Sequence, residues 1–309
     1  MIVVFPDFQI LDAAGPISAF EIASRFAPGA YSVRVAALAP GEIRSSSGAA
    51  MIAQALRPLR KADTIIVSGG DGTYEAMKDP ALLDALRSAQ HTARRVASVC
   101  SGAFVLAAAG LLDGKRAATH WRRAAQLARA FPTVRVEPDS IFVRDGAIWT
   151  SAGITAGIDL SLALIGDDLG EEIATQVARE MVVYAKRPGG QAQHSALLDL
   201  DAHAPRFARL HAWIRAHLRE PLSVEQLAKQ AAMSPRNFAR VYATETGATP
   251  AKAVERLRAE AARAALAGGA SLQDIAARTG FADAERMRRA FVRVYGAPPA
   301  ALRRTLRRA

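Results

Sequence analysis

Two stretches in the last third of the chain repeat one another, and this repeat restricts the possible fold more than any other feature. Leu227 corresponds to Ile275 and Tyr242 to Phe291, at an offset of 48 or 49 residues. Each copy has the pattern of a helix, a tight turn and a second helix that ends near a glycine. Two copies are too few for a solenoid. The repeat therefore predicts two helix-turn-helix units.

Serines predict the starts of equivalent helices in the two copies. Ser223 precedes Gln226 by three residues, and Ser271 precedes Asp274 by three, which is the spacing of a capping box. We therefore expect both first helices to begin directly after these serines.

The positive charge of the chain lies in the same region as the repeat. Residues 206–309 contain 20 Lys and Arg but 8 Asp and Glu, whereas the whole chain has a net charge of +11. The first two thirds are therefore close to neutral. This asymmetry predicts a module that binds a polyanion such as nucleic acid, joined to a neutral module. The alternative is a basic surface kept for solubility, which more often mixes both signs along the chain.

The second helix of a DNA-binding helix-turn-helix unit enters the major groove, so its outward side chains read the bases. Helical spacing turns Phe238 and Tyr242 inward in the first copy, and Met287 and Phe291 in the second. Arg pairs with guanine, Asn with adenine, and Glu accepts a hydrogen bond from cytosine. A solvated face of an ordinary amphipathic helix is the alternative. The predicted base-reading residues are Arg236, Asn237, Arg240, Glu285, Arg288 and Arg289.

Residues 206–309 resemble the AraC/XylS family of transcription regulators, on "LSVEQLAKQAAMSPRNFARVYATETGATP" and "SLQDIAARTGFADAERMRRAFVRVYGAPP". The resemblance implies two subdomains joined by a long helix, here "AKAVERLRAEAARAALA", that read successive segments of the major groove. It also implies base contacts at Arg236, Arg240, Glu285, Arg288 and Arg289. Two positions depart from the family pattern: Ala239 and Ala284 cannot hydrogen-bond a base, although their methyl groups can contact a thymine methyl.

The first part of the chain alternates short apolar runs with helical stretches. "MIVVF", "DTIIVSGG" and "RRVASVC" are rich in Val and Ile and predict buried strands. Alternation of this kind predicts an α/β domain, with a parallel sheet covered by helices on both faces. The pair Asp145–Gly146 predicts a hairpin turn. A long helical stretch after residue 155 is expected to break near Gly166 or Gly170.

This alternation ends at "KRPGGQAQHS", residues 186–195, where Pro188 and two glycines forbid a continuing helix. Beyond it the sequence is helical throughout. We therefore predict an α/β domain at residues 1–185, a linker at 186–205 and an all-α DNA-binding domain at 206–309.

The chain has one cysteine, Cys100, in "ASVCSGAFVLAAAG". A strand that runs into a helix through small residues is the setting of a nucleophile elbow. The helix N-terminus there favours a thiolate, which predicts a lowered pKa for the thiol. The alternative is packing, because free cysteine is among the most buried residue types.

Four segments of residues 1–185 together resemble the PfpI-like, class I glutamine-amidotransferase-like fold: "FPDFQILDAAGPISAF", "VSGGDG", "SVCSGAFVLAAAGLLDGKRAATHW" and "TSAGITAGIDLSL". Among enzymes of this fold the likeness is greatest to isocyanide hydratase. The comparison implies Cys100 as nucleophile, Asp12 as the acid beside its sulfur, Ser101 as a neighbouring hydroxyl and Gly70 as an amide donor to an oxyanion.

Gly70, Ser101 and His120 are expected in an effector pocket beside Cys100, and two of the site residues, Asp12 and His120, have alternative roles. Asp12 is equally well placed to cap a helix that begins at Ala13. His120 belongs either to the site or to the start of a helix against which it packs. Proteases of this fold have a histidine directly after the cysteine, whereas Ser101 occupies that position here, which argues against peptidase or amidase activity.

The combination of the two domains resembles the GlxA-type subfamily of AraC regulators, whose first domain is mainly a sensor and dimerisation module. We therefore expect a homodimeric regulator that binds double-stranded DNA and a small nitrogen-containing effector. The alternatives are a cysteine-dependent hydratase or amidase fused to a DNA-binding domain, and a redox sensor that acts through Cys100. We expect no metal and no other cofactor.

No apolar run is long enough to cross a bilayer, and the N-terminal stretch lacks a basic leader. A single cysteine is typical of a reducing compartment. The expected location is therefore the cytoplasm, without a membrane partner.

Overall fold

The computed structural model describes residues 1–56, 62–183, 187, 189, 193, 200–201, 204–295 and 297–308. The chain divides into two compact units, Met1–Gln193 and His194–Ala309. The predicted linker at 186–205 lies across this division, and most of it falls outside the described residues.

The first unit is built around a sheet whose central strands are parallel. Among the described residues the sheet has eight strands in the order β3-β4-β2-β1-β5-β6-β10-β9, with antiparallel pairs at both edges. A second, two-stranded sheet pairs β7 with β8. The strands are β1 (Ile2–Val3), β2 (Val35–Ala37), β3 (Gly41–Arg44), β4 (Ala50–Ala55), β5 (Thr64–Val67), β6 (Arg95–Val99), β7 (Arg116–Ala117), β8 (Arg135–Val136), β9 (Phe142–Asp145) and β10 (Ile148–Ser151).

Helices connect the parallel strands β1 with β2 and β5 with β6, which confirms the predicted α/β class. Their bounds are α1 (Ile10–Phe26), α2 (Thr73–Ala76), α3 (Pro80–Gln90), α4 (Gly102–Ala108), α5 (Trp121–Ala130), α6 (Ala156–Leu169) and α7 (Glu171–Glu180). Strand β6 is buried along its whole length, as expected for a parallel strand covered on both faces. Its carboxyl end carries the cysteine.

Glycines account for the two predicted changes of chain direction. Gly146 has φ +65° in the turn between β9 and β10, so the hairpin prediction is confirmed. The helical stretch breaks at Gly170, which has φ +87° and separates α6 from α7. Of the two predicted break points, Gly170 is the correct one.

The hairpin of β3 and β4 has no counterpart in the sequence prediction. Only Ala53 is fully buried in β4, and Ile52 is 75% exposed. This strand therefore lacks the alternation of apolar and polar residues from which strands are predicted.

The second unit is helical in its described residues, as predicted. Leu227, Phe238 and Tyr242 belong to one apolar core, and Ile275, Met287 and Phe291 to another. The helices are α8 (Ala208–Ala216), α9 (Val224–Gln230), α10 (Pro235–Thr246), α11 (Pro250–Ala265), α12 (Leu272–Arg278), α13 (Ala284–Tyr295) and α14 (Pro299–Arg308).

Both predicted N-caps are confirmed. The hydroxyl of Ser223 accepts a hydrogen bond from the N–H of Gln226, and the side chain of Gln226 accepts one from the N–H of Ser223, which completes a capping box. The hydroxyl of Ser271 accepts a hydrogen bond from the N–H of Asp274. The searched helices of the described chain include none that is both long enough and apolar enough to span a bilayer.

Candidate functional site

Cys100 lies at the turn between β6 and α4. Its φ is +56°, a conformation that is strained for a residue with a Cβ atom and is typical of a nucleophile elbow. The backbone N–H of Cys100 donates to the carbonyl of Ser151 at 3.0 Å. The residue is 9% exposed, so the elbow is nearly closed to solvent.

Two glycines form the walls of this elbow. A Cβ atom on Gly153 would lie 2.2 Å from the Cβ of Cys100, and one on Gly69 would lie 2.8 Å from it. Both distances are far shorter than van der Waals contact. The backbone at these glycines therefore passes directly against the cysteine.

Asp12 lies in the first turn of α1 and faces the elbow. Its carboxylate accepts hydrogen bonds from the N–H of Ile154 at 2.7 Å and from the N–H of Gly69 at 3.1 Å. Helix α1 begins earlier than predicted, at Ile10, and its cap is the side chain of Gln9. The alternative in which Asp12 caps a helix from Ala13 is therefore wrong.

Asp12 and Cys100 hydrogen-bond to one another, and both have raised pKa values. Burial raises the pKa of Asp12 to about 6, although two backbone amides favour its ionised form. Burial, together with the charge of Asp12, raises the pKa of Cys100 to about 12. At neutral pH the thiol therefore keeps its proton and donates it to the carboxylate.

The prediction of a lowered thiol pKa is wrong. The helix that follows the cysteine has only seven residues, so its dipole is small. Loss of hydration and the neighbouring carboxylate both oppose ionisation, and they outweigh the hydrogen bonds from Ser101 that favour the thiolate.

Ser101 connects the elbow to the loop after β5. The N–H of Gly70 donates to its Oγ at 3.0 Å, and that Oγ lies 2.8 Å from the hydroxyl of Thr73. The amide of Gly70, predicted to be available to an oxyanion, is thus bonded to Ser101 instead. Ser101 itself is buried beside Cys100, as expected of the neighbouring hydroxyl.

His120 is half-buried and caps α5, where its Nδ1 accepts a hydrogen bond from the N–H of Arg122 at 3.4 Å. The preceding residue reaches the elbow: the hydroxyl of Thr119 donates to the carbonyl of Cys100 at 2.8 Å. His120 therefore lies at a helix start, one residue away from a contact with the cysteine. Its role in a site stays a prediction.

The structure brings Asp12 and Ser101 together at Cys100 and adds contacts that the sequence prediction did not contain. These are the amide of Ile154, the hydroxyls of Thr73 and Thr119, and the close glycines 69 and 153. All of them except Thr73 belong to quoted motifs, but backbone donors, hydroxyls and small residues carry no chemical signature of their own.

In the first recognition helix, α10, the three predicted residues are all exposed. Arg236, Asn237 and Arg240 face solvent, while Phe238 and Tyr242 are fully buried. A guanidinium nitrogen of Arg240 donates to the Oδ1 of Asn237 at 3.0 Å. The two side chains are therefore held side by side.

The second recognition helix, α13, exposes Glu285, Arg288 and Arg289, and buries Met287 and Phe291. Nε and Nη2 of Arg288 each donate to a carboxylate oxygen of Glu285 at 2.7 Å. A nitrogen of Arg289 lies 3.9 Å from the same carboxylate. This helix thus presents its arginines around one acidic side chain.

Comparison with known proteins assigns a family to each part of the chain. Residues 1–167 match the DJ-1/PfpI family, and residues 227–305 match a helix-turn-helix domain. Among solved structures, the chain resembles a ThiJ/PfpI family protein from Pseudomonas syringae with a TM-score of 0.54 and 28% identity. That match covers 60% of this chain and 75% of the other.

Relatives include both regulators and an enzyme. The HTH-type transcriptional regulator GlxA of Rhizobium meliloti (strain 1021) is 30% identical over 88% of this chain and 85% of its own length. The HTH-type transcriptional regulator CdhR of Pseudomonas aeruginosa is 29% identical over 84% of this chain and 77% of its own. Isonitrile hydratase of Pseudomonas putida is 45% identical, but over 41% of this chain and 54% of the enzyme.

The regulators match across both units, whereas the enzyme matches over less than half of the chain. The chain therefore belongs to the DJ-1/PfpI family and to the HTH-type transcriptional regulators, and in it the helix-turn-helix domain follows the α/β domain.

Proposed function

We propose that this regulator reads duplex DNA with α10 and α13 and that a small molecule bound at the elbow controls this reading. The observation that carries the DNA-binding part is the placement of arginines at equivalent exposed positions, Arg240 and Arg289, of two repeated helices. The excess of basic residues in the same unit supports it, because duplex DNA attracts such a surface.

Salt dependence tests the DNA-binding proposal. A DNA site is first selected in vitro with the full-length protein, and the affinity for it is then measured from low to physiological salt. Since each arginine that contacts a phosphate releases counterions, we expect the affinity to fall steeply. An affinity that stays flat over this range contradicts the proposal.

The elbow is proposed as the effector site because it places a buried carboxylate beside a buried thiol. Asp12 is fully buried, and two amides and the thiol offset only part of the cost of its charge. A ligand nitrogen that carries a positive charge or an N–H group would pair with this carboxylate. We therefore propose a small nitrogen-containing effector.

Thermal-shift screening of amines, betaines and amino acids tests the effector proposal. A true effector raises the melting temperature by mass action. Asp12→Asn should remove that shift, and Glu21→Gln, on the exposed surface of α1, should leave it unchanged. An equal shift in the Asp12 variant contradicts the assignment of the site.

We further propose that the protein acts as a homodimer in the cytoplasm. A dimer would place four helix-turn-helix units on two half-sites, matching the symmetry of most operators. Light scattering of the protein bound to its selected DNA should give two chains per site; one chain per site contradicts the dimer.

The second candidate function is a cysteine-dependent hydratase of the isonitrile hydratase type. The 45% identity over 128 residues favours it. The Asp12–Cys100 hydrogen bond favours it too, since the carboxylate could take the thiol proton as the sulfur attacks the isocyanide carbon. Cys100→Ala should then abolish isocyanide hydration and leave DNA binding intact. Absence of turnover by the unaltered protein removes this candidate.

A further inference from the structure

The two apolar cores of the DNA-binding unit meet on one helix, α11. Leu257 belongs to the core of the first copy, and Ala259 belongs to the core of the second. Long helices bend, so packing on the two ends of α11 does not by itself fix the angle between the copies. Arg258 lies between these two residues, at the point where the helix passes from one core to the other.

Arg258 connects this point of α11 to the segment that follows α8. Its Nε donates to the carbonyl of Leu218 at 3.0 Å, and its Nη2 donates to the carbonyl of Glu220 at 2.7 Å. Leu218 packs against the core of the first copy, so the segment belongs to that copy. Arg258 is half-buried, and hydrogen bonds from a charged donor that is shielded from water are among the strong ones.

The turn of the second copy contacts the same segment. Gly280 lies between α12 and α13, and a Cβ atom on it would lie 1.7 Å from the carbonyl oxygen of Leu218 and 2.8 Å from Nε of Arg258. In addition, Nε of Arg219 donates to the carbonyl of Arg278, the last residue of α12, at 3.0 Å. The backbone of the second copy therefore lies directly against the segment that belongs to the first.

The repeat explains why position 280 is a glycine. The corresponding residue of the first copy is Ala232, 48 positions earlier, and it has φ +53° where Gly280 has φ +80°. The turn therefore accepts alanine in a left-handed conformation, although glycine adopts that conformation more readily. An alanine at position 280 would instead collide with the carbonyl of Leu218. The contact between the copies, rather than the turn, requires the glycine.

We propose that Arg219, Arg258 and Gly280, with the carbonyls of residues 218 and 220, form an inter-copy contact that fixes the spacing of the two DNA segments read by α10 and α13. The proposal rests on the proposed function and specifies how the protein selects its DNA. One additional base pair moves the second segment by about 3.4 Å along the duplex and by about 35° around it. Two helices held in one arrangement cannot follow this movement, so one of them loses its base contacts.

The spacing of the DNA site provides the test. Footprinting locates the two segments within each half-site of the selected site, and a second duplex carries one inserted base pair between them. The measured quantity is the spacing penalty of the full-length protein, which is the dissociation constant for the second duplex divided by that for the selected site. Loss of folded protein or of phosphate contacts affects both duplexes alike and cancels in this ratio.

The unaltered protein should have a spacing penalty of about tenfold or more, because the displaced helix loses its base contacts. In Arg258→Met and in Gly280→Ala the penalty should fall below about threefold, because the two copies can then move relative to one another. Arg219→Ala removes a single hydrogen bond and should lower the penalty less. Arg258→Lys, which keeps a charged donor, should restore part of the penalty.

Two matched controls leave the inter-copy contact in place. Lys252→Met removes an exposed positive charge from the same helix as Arg258, and Ala232→Gly changes the turn of the first copy that corresponds to Gly280. Both variants should keep the spacing penalty of the unaltered protein.

A measurement without DNA tests the inter-copy contact by itself. Spin labels are attached at exposed positions of the two recognition helices, Thr244→Cys in α10 and Val292→Cys in α13, with Cys100→Ser to remove the native thiol. Dilution with unlabelled protein isolates the distance within one chain, which double electron–electron resonance measures. The distance distribution should be narrow when Arg258 is present and clearly broader in Arg258→Met. Equally narrow distributions overturn the inference.

The outcomes separate the inference from the proposed function. If the unaltered protein binds the selected site but tolerates the insertion, or if the Arg258 and Gly280 variants keep its full spacing penalty, the inference is overturned while DNA reading stands. If the unaltered protein prefers no DNA sequence, the proposed function fails and the inference fails with it. Arg258→Met keeps the test valid if Gly280→Ala does not fold.

Discussion

The two helix-turn-helix copies share their buried positions and differ in almost every polar one. Phe238 and Tyr242 are fully buried in α10, and Met287 and Phe291 are fully buried in α13. At the exposed positions the first helix has Arg236, whereas the second has Glu285. The shared core determines the shape of the unit, and the surface is free to read a different DNA sequence in each copy.

The difference extends into the cores. Tyr242 carries a hydroxyl that bonds His211, whereas Phe291, at the corresponding place, has no polar atom in its side chain. The recognition helix of the first copy therefore has a polar contact with His211, which precedes the copy in sequence, and Phe291 cannot make such a contact. The two copies therefore share the packing of their cores and differ in this one polar contact.

The largest expected effect tests the shared cores. Phe238→Ala and Phe291→Ala should each lower the free energy of unfolding of their own copy by about 3–5 kcal/mol, because each leaves a cavity where a fully buried ring packed. Hydrogen exchange of α10 and α13 in the full-length protein measures this copy by copy. If one substitution left its copy unchanged, the cores would not be equivalent.

Single arginine substitutions test the difference in DNA reading. Arg240→Ala and Arg289→Ala should each weaken binding by about 1–3 kcal/mol if each arginine pairs with a guanine. Repeated in vitro selection should show relaxed preference at different base pairs for the two variants. Arg25→Ala, in the other unit, serves as control. If both variants lost base preference at the same base pairs, the two copies would not read separate parts of the site.

Features that depend on local chemistry can be predicted from the sequence. These predictions are confirmed for the caps at Ser223 and Ser271, for the inward faces of both recognition helices and for the break at Gly170. The elbow partners depend on contacts between distant segments. The amide of Ile154 reaches Asp12 across 142 residues of sequence, and any residue type except proline provides such a donor.

The thiol pKa was mispredicted for a related reason. The strand, turn and helix around Cys100 are local features and were predicted, whereas the carboxylate beside the sulfur and the depth of burial come from tertiary packing. Burial and a neighbouring charge outweigh a helix dipole at short range.

Tyr242→Phe tests the polar contact that only the first copy has. It leaves one nitrogen of the buried His211 without its hydroxyl partner, so we expect the first copy to lose about 1 kcal/mol of stability. Hydrogen exchange of α10 measures this loss. The second copy, in which phenylalanine is native, should keep its exchange rates, and an equal change in both would contradict the assignment.

The smallest expected effect concerns Glu285, which has no acidic counterpart in the first copy. Glu285→Gln frees Arg288 from an exposed ion pair and removes a charge that repels phosphate, so affinity for a duplex of unrelated sequence should rise about threefold. That affinity should also fall more steeply with salt. Titrations of the unrelated duplex at several salt concentrations measure both, and weaker binding of this duplex would contradict the repulsion of phosphate by Glu285.

The central claim is that two repeated helices read DNA through matched arginines, and footprinting of the selected site with the Arg240→Ala, Arg289→Ala double variant tests it most directly. Within each half-site, the unaltered protein should protect two segments about one helical turn apart. The double variant should protect neither at the same concentration. Full protection of both segments by the double variant would contradict the account.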